Sequence, residues 1–179
     1  DAFYKVRTEV ESEVWEDFSK SYSYSKIQRE GKTKRDVKVR FNYQSLVAEY
    51  MENKGSPRTL TIPNRVFDPL AIAYFFRLFP IAENSAKTLP TCDGKRFMDM
   101  VVRTGESDYI SVPAGKYKAV GTKPEMKNLS GVFKKSPDGI LRVWYTVDNR
   151  RIPVKISSKV IVGSFTASLV KASGLVPRS

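Results

Sequence analysis

The first place to look for chemistry is the stretch Pro90-Thr91-Cys92-Asp93-Gly94-Lys95. A cysteine becomes a nucleophile when a base or a cation lowers its pKa. Lys95 is within sequence reach, but the chain has no histidine. That removes Ser-His-Asp and Cys-His catalysis, histidine-ligated zinc and the usual pH switch. Cys92 is the only cysteine, so an internal disulfide and a cysteine metal cluster are both excluded. It reads as a residue beside a turn.

Oxygen chemistry has two candidate sets. Glu9, Glu11 and Glu13 fall on one face of a strand-like run and could hold a hard cation. No Asp-Gly loop accompanies them, so a solvated strand face is the better reading of the three carboxylates. Asp99, Glu106 and Asp108 could pair as acid and base, but no spacing singles them out. Asp93-Gly94-Lys95-Arg96 and Val112-Pro113-Ala114-Gly115-Lys116 lack the Gly spacing and Lys-Ser/Thr pair of a phosphate loop. They read as β-turns. No catalytic residue, metal site or cofactor site emerges, and the chain is expected to be no enzyme.

The residues that could bind a ligand are aromatic and basic. Tyr74, Phe75, Phe76 and Phe79 crowd one short segment with more apolar surface than one helix face needs. Such a lining suits an acyl chain or another apolar ligand, against the commoner fate of such aromatics as a core plug. Trp144, Arg150 and Arg151 lie in WYTVDNRRIPVKI, where the arginines could meet an anionic headgroup or pair with Asp148. Phe3-Tyr4-Lys5-Val6-Arg7 and Lys38-Val39-Arg40-Phe41-Asn42-Tyr43 interleave aromatic and basic residues as single-strand nucleic-acid binders do. Half-buried alternation accounts for both, so nucleic acid is a disfavoured partner.

Charge points the same way without deciding. The chain of 179 residues carries a net +12, with an acidic patch at Glu9–Asp17 and eight basic residues between Lys20 and Arg40. A basic protein favours anionic partners or simply solvated charges. The longest apolar stretch, Leu70–Phe79, is too short to span a bilayer and contains Arg77.

The elements that would position these residues are mostly strands. Period-2 alternation marks Phe3–Val14 and Tyr22–Ile27. Val37, Val39 and Phe41 share one face. Leu46, Ala48 and Tyr50 share a face of opposite parity, with a turn or bulge at Asn42–Ser45. Phe97–Arg103, Tyr109–Val112, Lys116–Val120, Val132–Lys135, Ile140–Val147, Val154–Ser158 and Val160–Leu169 follow. Turns are expected at Arg29–Lys32, Pro113–Gly115, Ser136–Gly139 and Asp148–Arg150.

One helix is expected at about 69–79, with Asp68 as N-cap, Pro69 in its first position and Pro80 as its stop. The spacing implies a mainly β fold: a curled antiparallel sheet or incomplete barrel of roughly ten strands around one aromatic helix. Residues 1–172 read as a single domain, and 173–179 resemble the remnant of a protease-cleavable tag.

The ordered pieces Phe67-Asp68-Pro69-Leu70 with Ala73–Arg77, Val112–Ala119, Leu141–Ile156 and Ile161–Leu169 resemble a bacterial family of exported proteins known as domain of unknown function family 3108. The resemblance implies export to the periplasm or cell envelope after loss of a signal peptide. Family members carry further strand sequence ahead of the region matching Phe3, which would leave the first sheet edge incomplete here. It also implies an architecture similar to the periplasmic lipoprotein carriers. The resulting expectation is a non-enzymatic periplasmic binder of a hydrophobic or lipid-like ligand. The alternative is a structural or protein-interaction module of the envelope with no ligand pocket.

Overall fold

A computed structural model describes residues 6–125, 140–160 and 163–174. The expected strand at Val132–Lys135 and turn at Ser136–Gly139 lie outside the described residues, as do Phe3, Tyr4 and Lys5. Eleven strands and one helix, all among the described residues, follow in the order β1 (Val6–Val14), β2 (Ser21–Glu30), β3 (Thr33–Asn42), β4 (Val47–Glu52), β5 (Arg58–Thr61), α1 (Pro69–Leu78), β6 (Ala86–Cys92), β7 (Phe97–Val112), β8 (Gly115–Pro124), β9 (Ile140–Thr146), β10 (Pro153–Val160) and β11 (Gly163–Ser168). The mainly β expectation holds: the strands divide into two antiparallel sheets, and among the described residues neither closes into a barrel. One sheet has the order β1-β2-β3-β4-β5, and the other β11-β10-β9-β8-β7-β6.

The chain forms two compact units. The first comprises residues 1–73 and 89–99, the second residues 74–88 and 100–179. The opening turn of α1 thus belongs to the first unit and the rest of the helix to the second.

In the first unit the alternation read from the sequence is the burial pattern. Val37, Val39 and Phe41 of β3 are buried, as are Ala48 and Tyr50 of β4. Register explains the common face: Val39 lies opposite Tyr50 and Phe41 opposite Ala48. With Tyr24, Ile62, Val66 and Cys92 they make one apolar cluster. Leu46 departs from the expected face. It sits in the β3–β4 turn with φ 54° and is exposed. Asn42 sets that turn, because its side-chain oxygen accepts the backbone N–H of Gln44 and Ser45.

The helix starts as its sequence predicts. Asp68 is fully buried, and its Oδ1 accepts the N–H of Leu70 and Ala71 at 2.9 and 3.0 Å. These are two of the orphan donors that every helix start leaves open. Its Oδ2 accepts the hydroxyls of Ser12 and Ser21, each at 2.6 Å. The cap therefore ties the helix start to β1 and β2.

Two strand expectations merge in the second sheet. Phe97–Arg103 and Tyr109–Val112 are parts of one 16-residue strand, β7. The register against β8 shifts between Thr104 and Ser107, so Gly105-Glu106 is a bulge within the strand rather than a turn. The hairpin at Pro113-Ala114 is as expected, closing between Val112 and Gly115. β5 and β6 carry little alternation, and sequence reasoning did not find them.

Candidate functional site

The second unit holds most of the side chains that the sequence nominated for binding. Phe75 and Phe76 are buried on α1, Phe79 is half-buried just past its end, and Tyr74 is half exposed. Helical spacing brings three of them together. Phe75 stacks on Phe79 at 4.5 Å between ring centroids, and Phe76 meets Phe75 edge-on at 5.7 Å. Phe76 also packs against Tyr145 of β9 at 5.9 Å. Tyr145 is almost wholly buried, and burial raises its phenol pKa far above the usual tyrosine value.

Lys87 on β6 completes this cluster. Its Nζ lies 4.9 Å from the Phe75 ring and 5.8 Å from the Phe79 ring. Both distances allow a cation–π attraction. Lys87 is exposed and has no carboxylate partner among the described residues. Sequence reasoning missed Lys87 and Tyr145. The β6 segment carries too little alternation to reveal Lys87, and in the sequence Tyr145 is only one residue of the Ile140–Val147 strand.

The three residues nominated from the WYTVDNRRIPVKI segment separate. Trp144 alternates with Val143 and Tyr145, so it lies on the face of β9 opposite the Phe cluster. There Lys155 stands over its ring at 5.4 Å. Arg150 turns to Asp148, with Nε donating to Oδ2 at 2.9 Å. Burial of Asp148 works against ionisation. The Arg150 and Thr146 hydrogen bonds outweigh it and hold the carboxyl below its ordinary pKa. Thr146 Oγ1 donates to Asp148 at 2.7 Å and accepts the Ile152 N–H at 2.9 Å, which sets the turn.

Arg151 does something different. It sits at φ 43°, and its Nε donates to the carbonyl of Arg77 at 3.0 Å. Nη2 reaches the Leu78 carbonyl at 3.4 Å. A cation thus caps the C-terminus of α1, where the helix dipole favours positive charge. Arg77 itself has its Nε buried with no hydrogen-bond partner.

The other nominated chemistry stays dispersed. Cys92 is fully buried, and burial pushes its thiol pKa up to about 11. Such a thiol is a small apolar group rather than a nucleophile. Glu11 and Glu13 accept hydroxyls from Ser25 and Ser23 across β1 and β2. Glu106 accepts from Asn84, Asp108 accepts the N–H of Tyr109, and Asp99 is exposed. Among the described residues no three His, Cys, Asp or Glu side chains gather closely enough to hold a metal ion. No helix among them is long and apolar enough to cross a membrane.

The sequence profile of a family described as protein of unknown function (DUF3108) matches residues 1–170. The chain belongs to this family. No curated protein matches it, and no solved structure does. The family description carries no activity, so the aromatic and basic cluster around α1 has to be read on its own chemistry.

Proposed function

We propose that this DUF3108 protein is a non-enzymatic, exported protein of the periplasm or cell envelope that binds an amphipathic anionic ligand, lipid-like in character, at the end of α1. The observation that carries the reading is the half-buried Phe79 ring, stacked on Phe75 under an exposed Lys87 that has no carboxylate partner among the described residues. An apolar chain laid on Phe79 would leave water, gaining about 0.8 kcal/mol per CH₂ buried. Lys87 would neutralise an acidic headgroup in place of the absent carboxylate. Arg77 on α1 adds a second cation with no carboxylate partner among the described residues, its Nε buried without a hydrogen-bond partner. The lack of histidine supports the non-enzymatic part of the proposal.

The probe for this reading is anilinonaphthalene sulfonate, an apolar anion, followed by displacement with a long-chain fatty acid. Saturable fluorescence that the fatty acid displaces, weakened about tenfold in Lys87→Glu, is the expected result. Native mass spectrometry of protein purified without detergent should show a co-purifying amphiphile. Fluorescence that never saturates, together with a clean apo mass after incubation with envelope lipids, would sink the proposal.

Those negative results would favour a second reading, a protein-interaction module of the envelope without a ligand pocket. The burial of Phe75 and Phe76, at 3% and 5% exposure, supports it, because both rings then serve as core.

A further inference from the structure

Among the described residues four strands end the two sheets: β1, β5, β6 and β11. An open edge presents unpaired N–H and C=O groups, and proteins usually guard it. β1 carries Glu9, Glu11 and Glu13 on one face. A second copy paired antiparallel about Glu11 would set Glu9 against Glu13 and Glu11 against Glu11. β5 is only four residues long and contains Arg58. β6 contains Pro90, which cannot donate to a ladder, and its Thr91 already bridges to Phe67.

β11 has none of these devices. Its sequence, GSFTAS, has no charge and no proline. Every side chain from Ser164 to Ser168 is exposed, and Phe165 stands 58% open to solvent. The ladder with β10 fixes which backbone groups are unused. Leu169 donates its N–H to the Val154 carbonyl at 2.9 Å, so by alternation Ala167 and Phe165 also face β10. The N–H and C=O groups of Ser164, Thr166 and Ser168 therefore point outward.

That edge is self-complementary. We infer that β11 pairs antiparallel with β11 of a second copy about a two-fold axis at Thr166. Thr166 then lies opposite its own counterpart, Ser164 opposite Ser168, and Phe165 opposite Ala167. The bulky ring meets the smallest side chain of the strand on one face, and a Thr–Thr pair forms on the other. No charge lies in the overlap, so a protein of net charge +12 can bring these edges together without a local ion clash. The overall like charge still opposes association, so added salt strengthens it. The overlap is short and its area falls below that of stable dimers, which makes the pairing weak and concentration-dependent.

The test is sedimentation equilibrium of the whole chain from low to high micromolar concentration, at low and at moderate salt. The expected mass rises from that of a 20.3 kDa monomer towards twice that value, more steeply at moderate salt. Thr166→Lys puts two ammonium groups face to face at the axis and should raise the dissociation constant at least tenfold, with an unchanged circular dichroism spectrum. Thr166→Cys gives a second readout. Hydrogen-bonded antiparallel pairs place Cα atoms about 5.5 Å apart, within disulfide range. Mild oxidation should therefore yield a covalent dimer, whereas Thr59→Cys on β5 should not. Cys92 is fully buried and cannot compete. A monomer at every concentration, or a dimer that Thr166→Lys leaves intact and Thr166→Cys fails to trap, would overturn the inference.

Discussion

Arg151 caps the helix that ends at Leu78: its guanidinium Nε donates to the carbonyl of Arg77 at 3.0 Å, across a sequence separation of 74 residues. The last carbonyls of a helix have no intrahelical partner, and here a distant cation supplies one. The backbone of Arg151 holds φ 43°, a conformation costly for any residue but glycine. Two substitutions separate these terms. Arg151→Ala loses the cap and keeps the strain, so it should lower stability by about 1–2 kcal/mol. Arg151→Gly loses the cap but relieves the strain, so it should fall below wild type by less than Arg151→Ala does. Urea unfolding of the three proteins decides the matter. Equal stability of Arg151→Ala and wild type would remove the cap from the account.

At the other end of the helix, Asp68 gathers two hydroxyls and two backbone N–H groups while fully buried. Its own N–H is accepted by Ser21 Oγ at 2.8 Å, which closes a reciprocal pair. Truncation to alanine strands four donors at once. Asp68→Ala should cost about 3 kcal/mol or more, well beyond an exposed N-cap substitution, because stranded buried groups each carry a desolvation penalty. Ser12→Ala removes one donor and leaves the cap, so it should cost about 1 kcal/mol. Thermal melts of the two variants, run side by side, give the comparison. A melting temperature for Asp68→Ala within a degree of the Ser12→Ala value would contradict the shared network.

Much of this was legible in the chain. Alternation found the buried faces of β3 and β4, because each strand buries one side only and the parity switch at the turn preserves it. Asp68-Pro69 and Pro80 bracketed the helix, because capping chemistry is local. The bulge in β7 was not legible, since Gly105 reads as a turn residue until a partner strand fixes the register. The fate of the paired arginines was equally hidden. Arg150 and Arg151 are adjacent, yet one closes a local turn on Asp148 and the other reaches a helix distant in sequence. Local sequence carries the first partner and only the folded sheet carries the second. Lys87 and Tyr145 were missed because their roles come from what stands opposite them.

The acid response of the first unit should trace to Glu52. Its carboxylate accepts the Lys95 ammonium at 2.7 Å, hydrogen-bonds the Tyr50 hydroxyl and pairs with Arg35 at 2.7 Å. The Lys95 and Tyr50 hydrogen bonds, assisted by the Arg35 charge, hold its pKa down to about 2, from 4.5. A folded-state pKa below the unfolded value stabilises the fold at pH above the unfolded value. That contribution is lost as pH falls through the folded one. Solvent still reaches 25% of the side chain, so screening leaves on the order of 1–2 kcal/mol. Between pH 4.5 and 2 the wild type should therefore lose this increment, while Glu52→Gln should lose correspondingly less. Parallel stability curves for the two proteins across that window would show that the network is decorative.

Gly94 is the position where the same region tolerates least. It follows Cys92 and Asp93 in the β6–β7 turn, at φ 87°. A methyl group there would stand 2.6 Å from a Val39 methyl and 2.8 Å from the Tyr50 ring, both in the first unit's core. Neither neighbour is a flexible tip that can swing away, since Val39 and Tyr50 are 3% and 4% exposed. Gly94→Ala thus combines a left-handed backbone penalty of about 1 kcal/mol with overpacking of about 1–3 kcal/mol. The sum should be about 2–4 kcal/mol, larger than for Gly105→Ala, where an added methyl meets nothing within 4 Å. A double variant with Val39→Ala makes room at the closest contact and should recover part of the overpacking cost, read as non-additivity in urea unfolding. Strict additivity of the two substitutions would mean that Gly94 is required for its backbone alone and that Val39 does not crowd it.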